Sequence, residues 1–173
     1  MTAVCLESEQ DKVKSLDVNM SGVRLQLQGL RQLQRLKLSN VKWDFEGFSQ
    51  LTVLSSLTKL KADACDIADA GLALAFQRLT GLRKLVLWTP LPNNACLLVA
   101  MACLSNLEHL DFGDEDSELV VTSANLPVLS PLTKLAYLTL LDQRTDTGER
   151  TVSDAAQDAL LDNMPHLTAI EWV

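Results

Sequence analysis

The chain is poor in the residue types on which most catalytic and cofactor sites depend. Aromatic residues make up 5% of its 173 residues, and there are two histidines, His109 and His166. It contains no P-loop, no G-x-G-x-x-G and no G-x-S-x-G stretch, so the glycine loops that cradle phosphates and the nucleophile elbow are both missing. The four cysteines, Cys5, Cys65, Cys96 and Cys103, form no C-x-x-C pair and fit no zinc spacing. Reduced, buried small hydrophobes are the expectation for them, which points to a reducing compartment. The longest unbroken apolar run, Ala95 to Leu104, is ten residues, too short to cross a bilayer. The opening stretch has neither the basic nor the apolar region of a secretory signal. An intracellular, cytoplasmic protein with no membrane attachment, no cofactor and no metal is therefore expected. Basic residues are also in the minority, 15 against 22 acidic ones for a net charge of −7, the reverse of a general nucleic-acid binder.

Leucine is what the chain has in excess: 35 of 173 residues, about one in five and far above ordinary usage. The leucines recur as L-x-x-L-x-x-L-x-L. The copies are Leu30-Leu33-Leu36-Leu38, Leu54-Leu57-Leu60-Ala62, Leu79-Leu82-Leu85-Leu87, Leu104-Leu107-Leu110-Phe112 and Leu132-Leu135-Leu138-Leu140. A last copy runs through Leu167, Ile170 and Trp172, and a weaker opening one through Val13, Leu16 and Val18. Taking the third apolar position as the marker gives residues 36, 60, 85, 110, 138 and 170, with steps of 24, 25, 25, 28 and 32. The two longer steps predict inserted loops at 112–121 and 142–152. The x-L-x-L-x part of each copy alternates with period two, the pattern of a strand with its leucines on one side.

In these copies the chain resembles the leucine-rich-repeat proteins, whose units run to roughly 20–29 residues. The resemblance covers residues 30–173. It implies an α/β fold: a right-handed solenoid with a curved parallel sheet on the concave side and helices and loops on the convex side. One unit cannot bury its own apolar face, whereas stacked units can. Residues 65–72, Cys-Asp-Ile-Ala-Asp-Ala-Gly-Leu, are also similar to the C-x-x-I-T-D-x-G-L signature of the cysteine-containing subtype known from F-box substrate receptors, with Ala68 where threonine is usual.

Residues 1–29 are expected to form an N-terminal cap with a first half-repeat, and residues 30–173 about six repeats, the last ending in its strand. Val23–Leu27 alternates after Ser21-Gly22, which suggests a hairpin cap. Helices are predicted over 69–79, where Leu72, Ala75, Phe76 and Leu79 share a face, over 94–103 behind Asn93 and Asn94, and over 153–163 between Ser153 and Pro165. Pro127 and Pro131 break the segment 122–130. The last strand leaves an edge, expected to be covered by a partner or by the rest of a longer chain.

Register identifies the outward positions. Arg35 and Lys37, Lys59 and Lys61, and Lys84 place five basic residues on three neighbouring strands of an acidic protein. Strands lie about 4.8 Å apart, so like charges in register repel by roughly 0.8 kcal/mol per pair even at the dielectric of water. Either this is a docking patch for an acidic or phosphorylated segment, or it is a solvated sheet partly neutralised by Asp17 and Asp63. His109, Asp111, Tyr137 and Leu141 continue the face. Trp88 belongs there as an aromatic anchor, unless Pro90 ends the strand early and the indole folds over the next loop. These ten residues are the candidate partner-binding set.

The run from Asp111 to Glu118 reads as a solvated acidic loop. Its D-F-G stands without any other kinase motif, and it lacks the EF-hand spacing. Catalysis finds little footing. His109 has Asp111 two residues on but no nucleophile in register, and Cys96 and Cys103, inside an apolar run, are expected to have raised pKa values and poor reactivity. The sequence therefore points to a non-catalytic module that binds another protein on its concave sheet. The alternatives are a structural subunit of a large assembly and, from the resemblance of residues 65–72, the substrate-binding part of a ubiquitin-ligase receptor.

Overall fold

A computed structural model describes residues 3–4, 12–19, 24–25, 27, 29–43, 50–67, 69–92 and 95–173. Its regularity comes from two hydrogen-bond devices that return once per repeat. The first is the L-x-x-L turn, in which the second leucine's N–H donates to the first one's carbonyl: Leu33 to Leu30 at 2.9 Å, Leu57 to Leu54 at 3.0 Å, Leu82 to Leu79 at 2.9 Å, Leu107 to Leu104 at 2.8 Å and Leu135 to Leu132 at 2.9 Å. Both leucines of each turn point inward and are buried. The second is a fork between winds. The carbonyl of Lys14 accepts from Gln34 and Arg35, that of Gln34 from Thr58 and Lys59, that of Thr58 from Arg83 and Lys84, and that of Arg83 from Glu108 and His109. Each wind thus satisfies the backbone donors of the next, as buried polar groups require.

The strands these forks launch build a seven-stranded sheet. They are β1 (Ser15–Asn19), β2 (Arg35–Ser39), β3 (Lys59–Asp63), β4 (Lys84–Trp88), β5 (His109–Phe112), β6 (Tyr137–Leu140) and β7 (Ile170–Trp172). All pairs are parallel and follow chain order. Two inner rows result. Leu16, Leu36, Leu60, Leu85, Leu110, Leu138 and Ile170 are in register, as are Val18, Leu38, Ala62, Leu87, Phe112, Leu140 and Trp172. Burying one such leucine stabilises the fold by about 1.5–3 kcal/mol.

The return segments close the other side of the core. Helix α1 (Asp69–Arg78) buries Leu72, Ala75 and Phe76, with Leu79 just beyond it, as its spacing predicts. Helix α2 (Ala95–Ala102) follows; its expected caps Asn93 and Asn94 lie outside the described residues. Leu126–Leu129 is a short 3-10 turn with Pro127 at its start. Helix α3 (Asp154–Asn163) begins where Ser153 Oγ accepts from Ala156 N at 3.3 Å. Among the described residues no helix is long and apolar enough to cross a membrane.

One expectation changes. Arg24–Leu25 pairs in parallel with Ala3–Val4, so it is not the returning arm of a hairpin with β1, which instead joins the main sheet beside β2. The proposed turn at Ser21-Gly22 lies outside the described residues. The two inserted loops are present and brace one another. Gln143 of the second accepts from Val121 N at 3.1 Å and donates to the Leu119 carbonyl at 3.1 Å in the first.

Candidate protein-binding face

Parallel register turns the outward strand positions into rows that cross the sheet. The first row reads Ser15, Arg35, Lys59, Lys84, His109, Tyr137. The second reads Asp17, Lys37, Lys61, Val86, Asp111, Thr139, Glu171, and the third begins Asn19, Ser39, Asp63, Trp88.

The second and third rows are internally tied. Lys37 Nζ lies 3.1 Å from Asp17 Oδ2, and Lys61 Nζ lies 3.9 Å from Asp63 Oδ2. Lys61 Nζ also sits 3.6 Å from the centre of the Trp88 ring, and Trp88 Nε1 donates to Asp111 Oδ1 at 3.0 Å. Each contact is modest alone: exposed ion pairs contribute about 0–1 kcal/mol and exposed cation–π contacts about 0.5–1 kcal/mol. Together they fix the indole. Trp88 ends β4 and lies along the face, 44% exposed, spanning its neighbours rather than folding over the following loop.

The first row is different. Among the described residues Arg35, Lys59 and Lys84 have no ion-pair partner, although they stand on adjacent strands. Beyond them the row becomes aromatic. The His109 and Tyr137 rings are tilted at 40° with centroids 5.6 Å apart, and Tyr137 is 61% exposed. Partial burial pushes the His109 pKa below its usual value; the charge of Lys84 pushes the same way, while Asp111 and Glu171 oppose it.

A solved structure shares this fold. Internalin C2 from Listeria monocytogenes matches with a TM-score of 0.56, covering 95% of this chain and 82% of that chain at 18% identity. The chain folds as a leucine-rich-repeat solenoid. No family model matches it, and no curated protein does. The likeness is one of fold, so the chemistry of the solenoid has to be read from its own side chains.

The structure brings nine of the ten candidate residues onto one continuous face. Leu141 is the partial exception, because it lies across Gly113. A Cβ on that glycine, whose φ is +139°, would come within 2.7 Å of the Leu141 Cβ, and the leucine is half-buried. Val86 also stands in an outward row by register, yet it is 4% exposed. Its row neighbours are Lys61 and Asp111, and both reach the indole two residues further on, so their bridge closes over it. Sequence reasoning missed this bridge. The signal was the diagonal offset of two residues between neighbouring strands, which long and aromatic side chains can span.

The cysteines divide. Cys65 is buried, its thiol 3.4 Å from the Asp63 carbonyl and 3.7 Å from that of Leu38, and burial pushes its pKa up. The Thr89 hydroxyl donates to the Cys65 carbonyl, so the residue fills a packing position between winds. Cys96 and Cys103, expected to be buried, are exposed. With Val99 they fall at i, i+3 and i+7, opposite the buried Leu97, Leu98 and Met101, so the apolar run turns one of its sides to solvent. Among the described residues no three His, Cys, Asp or Glu side chains are grouped to hold a metal ion.

Proposed function

We propose that this solenoid is a non-catalytic protein-interaction module whose sheet face binds an acidic or phosphorylated segment of another protein. One observation carries the reading: Arg35, Lys59 and Lys84 stand side by side with no ion-pair partner among the described residues, while their neighbours in the next row are neutralised by Asp17 and Asp63. A row of anions laid across the strands relieves that repulsion and replaces it with attraction. The rigid stack holds the cations in place beforehand, which limits the ordering entropy that opposes association. Further along the row, His109 and Tyr137 offer a place for an apolar or aromatic residue of the same segment. The acidic loop with Asp114, Glu115 and Asp116 follows the far end of β5 and keeps an acidic partner on the first row. Cys65, the centre of the F-box-type likeness, is accounted for by packing alone, so the ubiquitin-ligase reading has no separate support.

The test is a fluorescence-anisotropy titration with labelled Glu-rich peptides, one of them carrying phosphoserine. Saturable binding that weakens with added salt, and falls at least about tenfold in Lys59→Glu/Lys84→Glu, supports the proposal. The variant must keep the far-UV spectrum of the parent. Equal binding by parent and variant removes the first row from the site, and no binding by the parent removes the acidic partner.

A further inference from the structure

The back of the solenoid carries a second surface of a different kind. There α1, α2, the 3-10 turn Leu126–Leu129 and α3 lie side by side in that order. None of the eight residues of α2, Ala-Cys-Leu-Leu-Val-Ala-Met-Ala, is charged. A helix without charge around its whole circumference is ordinarily covered on all sides, yet here Val99 is 55% exposed. On α1 beside it, Leu74 is 40% exposed, with the exposed Arg78 one turn further along. On the other flank, α3 presents Asp154, Asp158 and Asp162 at i, i+4 and i+8, all exposed, with the exposed Ala155 and Ala159 between them. Neither Arg78 nor these three acids has an ion-pair partner among the described residues. Like charges at i, i+4 destabilise a helix, so the acidic stripe gains from any cation set against it.

From this geometry we infer that the convex face is a self-complementary interface on which a second copy of this chain docks through a two-fold axis between α2 and the 3-10 turn. That axis lays α1 of one copy on α3 of the other, twice. Leu74 meets the low ridge of Ala155 and Ala159, Arg78 meets Asp158 and Asp162, and the uncharged stripe of α2 covers the Pro127-Val128 region of its mate. The occupant is argued from the order of the charges. At their C-terminal ends the flanks of the apolar strip have opposite signs, Arg78 on one and Asp158 and Asp162 on the other, so a partner of one sign is repelled at one of them, whereas a two-fold copy presents the right sign at both. The whole chain has the same polarity. Residues 1–86 carry 12 basic and 9 acidic residues, and residues 87–173 carry 3 basic and 13 acidic. A solenoid lays its sequence out along its axis, so an antiparallel copy meets opposite charge along its length.

Sedimentation equilibrium under reducing conditions, at low and high salt, tests this. The parent is expected at twice its 19.0 kDa mass, with the dimer weakened at high salt. Val99→Glu and Arg78→Asp are each expected to run as monomers that keep the parent's far-UV spectrum and melt cooperatively, and Arg78→Asp/Asp158→Arg is expected to recover the dimer. Recovery by the charge exchange separates a lost contact from a damaged fold. A parent that stays at 19.0 kDa at every soluble concentration overturns the inference. So does a dimer that Val99→Glu leaves intact, or one that the charge exchange fails to restore.

Discussion

Strands β2 to β4 and strands β5 to β7 use the same inner rows and write opposite chemistry on the outer ones. Inside, leucine follows leucine from β2 to β6, with only Ala62 and Phe112 exchanging size in the second row. Outside, the first group carries five cations and the second carries His109, Asp111, Tyr137, Thr139 and Glu171. The inner rows are constrained by packing, where a lost methylene is felt at once. The outer positions bear only on what the surface meets. A solenoid separates the two demands residue by residue, so one half of its face can differ from the other without changing the fold.

The comparison breaks first at the shared core. Leu60→Ala in the first group and Leu138→Ala in the second should each lower stability by about 2–5 kcal/mol, since both side chains are fully enclosed. Urea denaturation followed by far-UV dichroism should show one transition in each case. If either variant loses less than about 1 kcal/mol, the two groups do not share one core of equal density. Next in size is Gly113→Ala, which adds a Cβ 2.7 Å from the Leu141 Cβ at a φ of +139°. The expected loss is about 1–3 kcal/mol, from overpacking and backbone strain together. An unchanged midpoint would mean that Leu141 moves aside freely. Smaller again is Trp88→Phe, which keeps a ring under Lys61 but removes the donor to Asp111. A loss of about 0.5–1 kcal/mol is expected, with Val86 becoming more accessible to solvent. Urea denaturation reads the loss, and a midpoint equal to the parent's would show that the bridge does not hold the indole over that residue.

Most of the fold could be read from the sequence because its determinants are local and repeated. The spacing of Leu82, Leu85 and Leu87 states a turn and a strand in six residues, and four neighbouring copies state the same. Stacking then follows from register, which needs no knowledge of distant contacts. The candidate face was legible to the same depth: register alone placed Arg35, Lys59 and Lys84 in one row. It failed where a side chain's fate depends on its neighbours' reach. Val86 is outward by register and buried by Lys61, Trp88 and Asp111. Cys96 and Cys103 sit in the most apolar stretch of the chain and are exposed, because hydropathy averaged over ten residues does not say which side of a helix faces the core. The N-terminal region escaped for another reason: Arg24–Leu25 pairs with Ala3–Val4, a contact between segments that share no periodic pattern with the repeats.

The smallest expected effect lies at the boundary between the two groups, where His109 stands. Lys84 flanks it from β4, Tyr137 from β6, Asp111 shares its strand, and Glu171 acts on it from β7. Burial and the Lys84 charge hold its folded pKa below the ordinary 6.5. Above that value the ring is neutral in both states, and its contribution to stability is fully present. As pH falls below it, the unfolded chain takes up a proton that the folded one resists, so stability falls until the folded ring titrates as well. Binding of an acidic segment should run the other way through the same window, because protonation adds a fourth cation to the row of Arg35, Lys59 and Lys84. Thermal stability should therefore decrease, and affinity for a Glu-rich peptide increase, on acidification from pH 7.5 toward the folded pKa, with both slopes reduced in His109→Gln. If the variant keeps the parent's pH dependence of affinity, the aromatic end of the row lies outside the binding site, and the docked segment stops at Lys84.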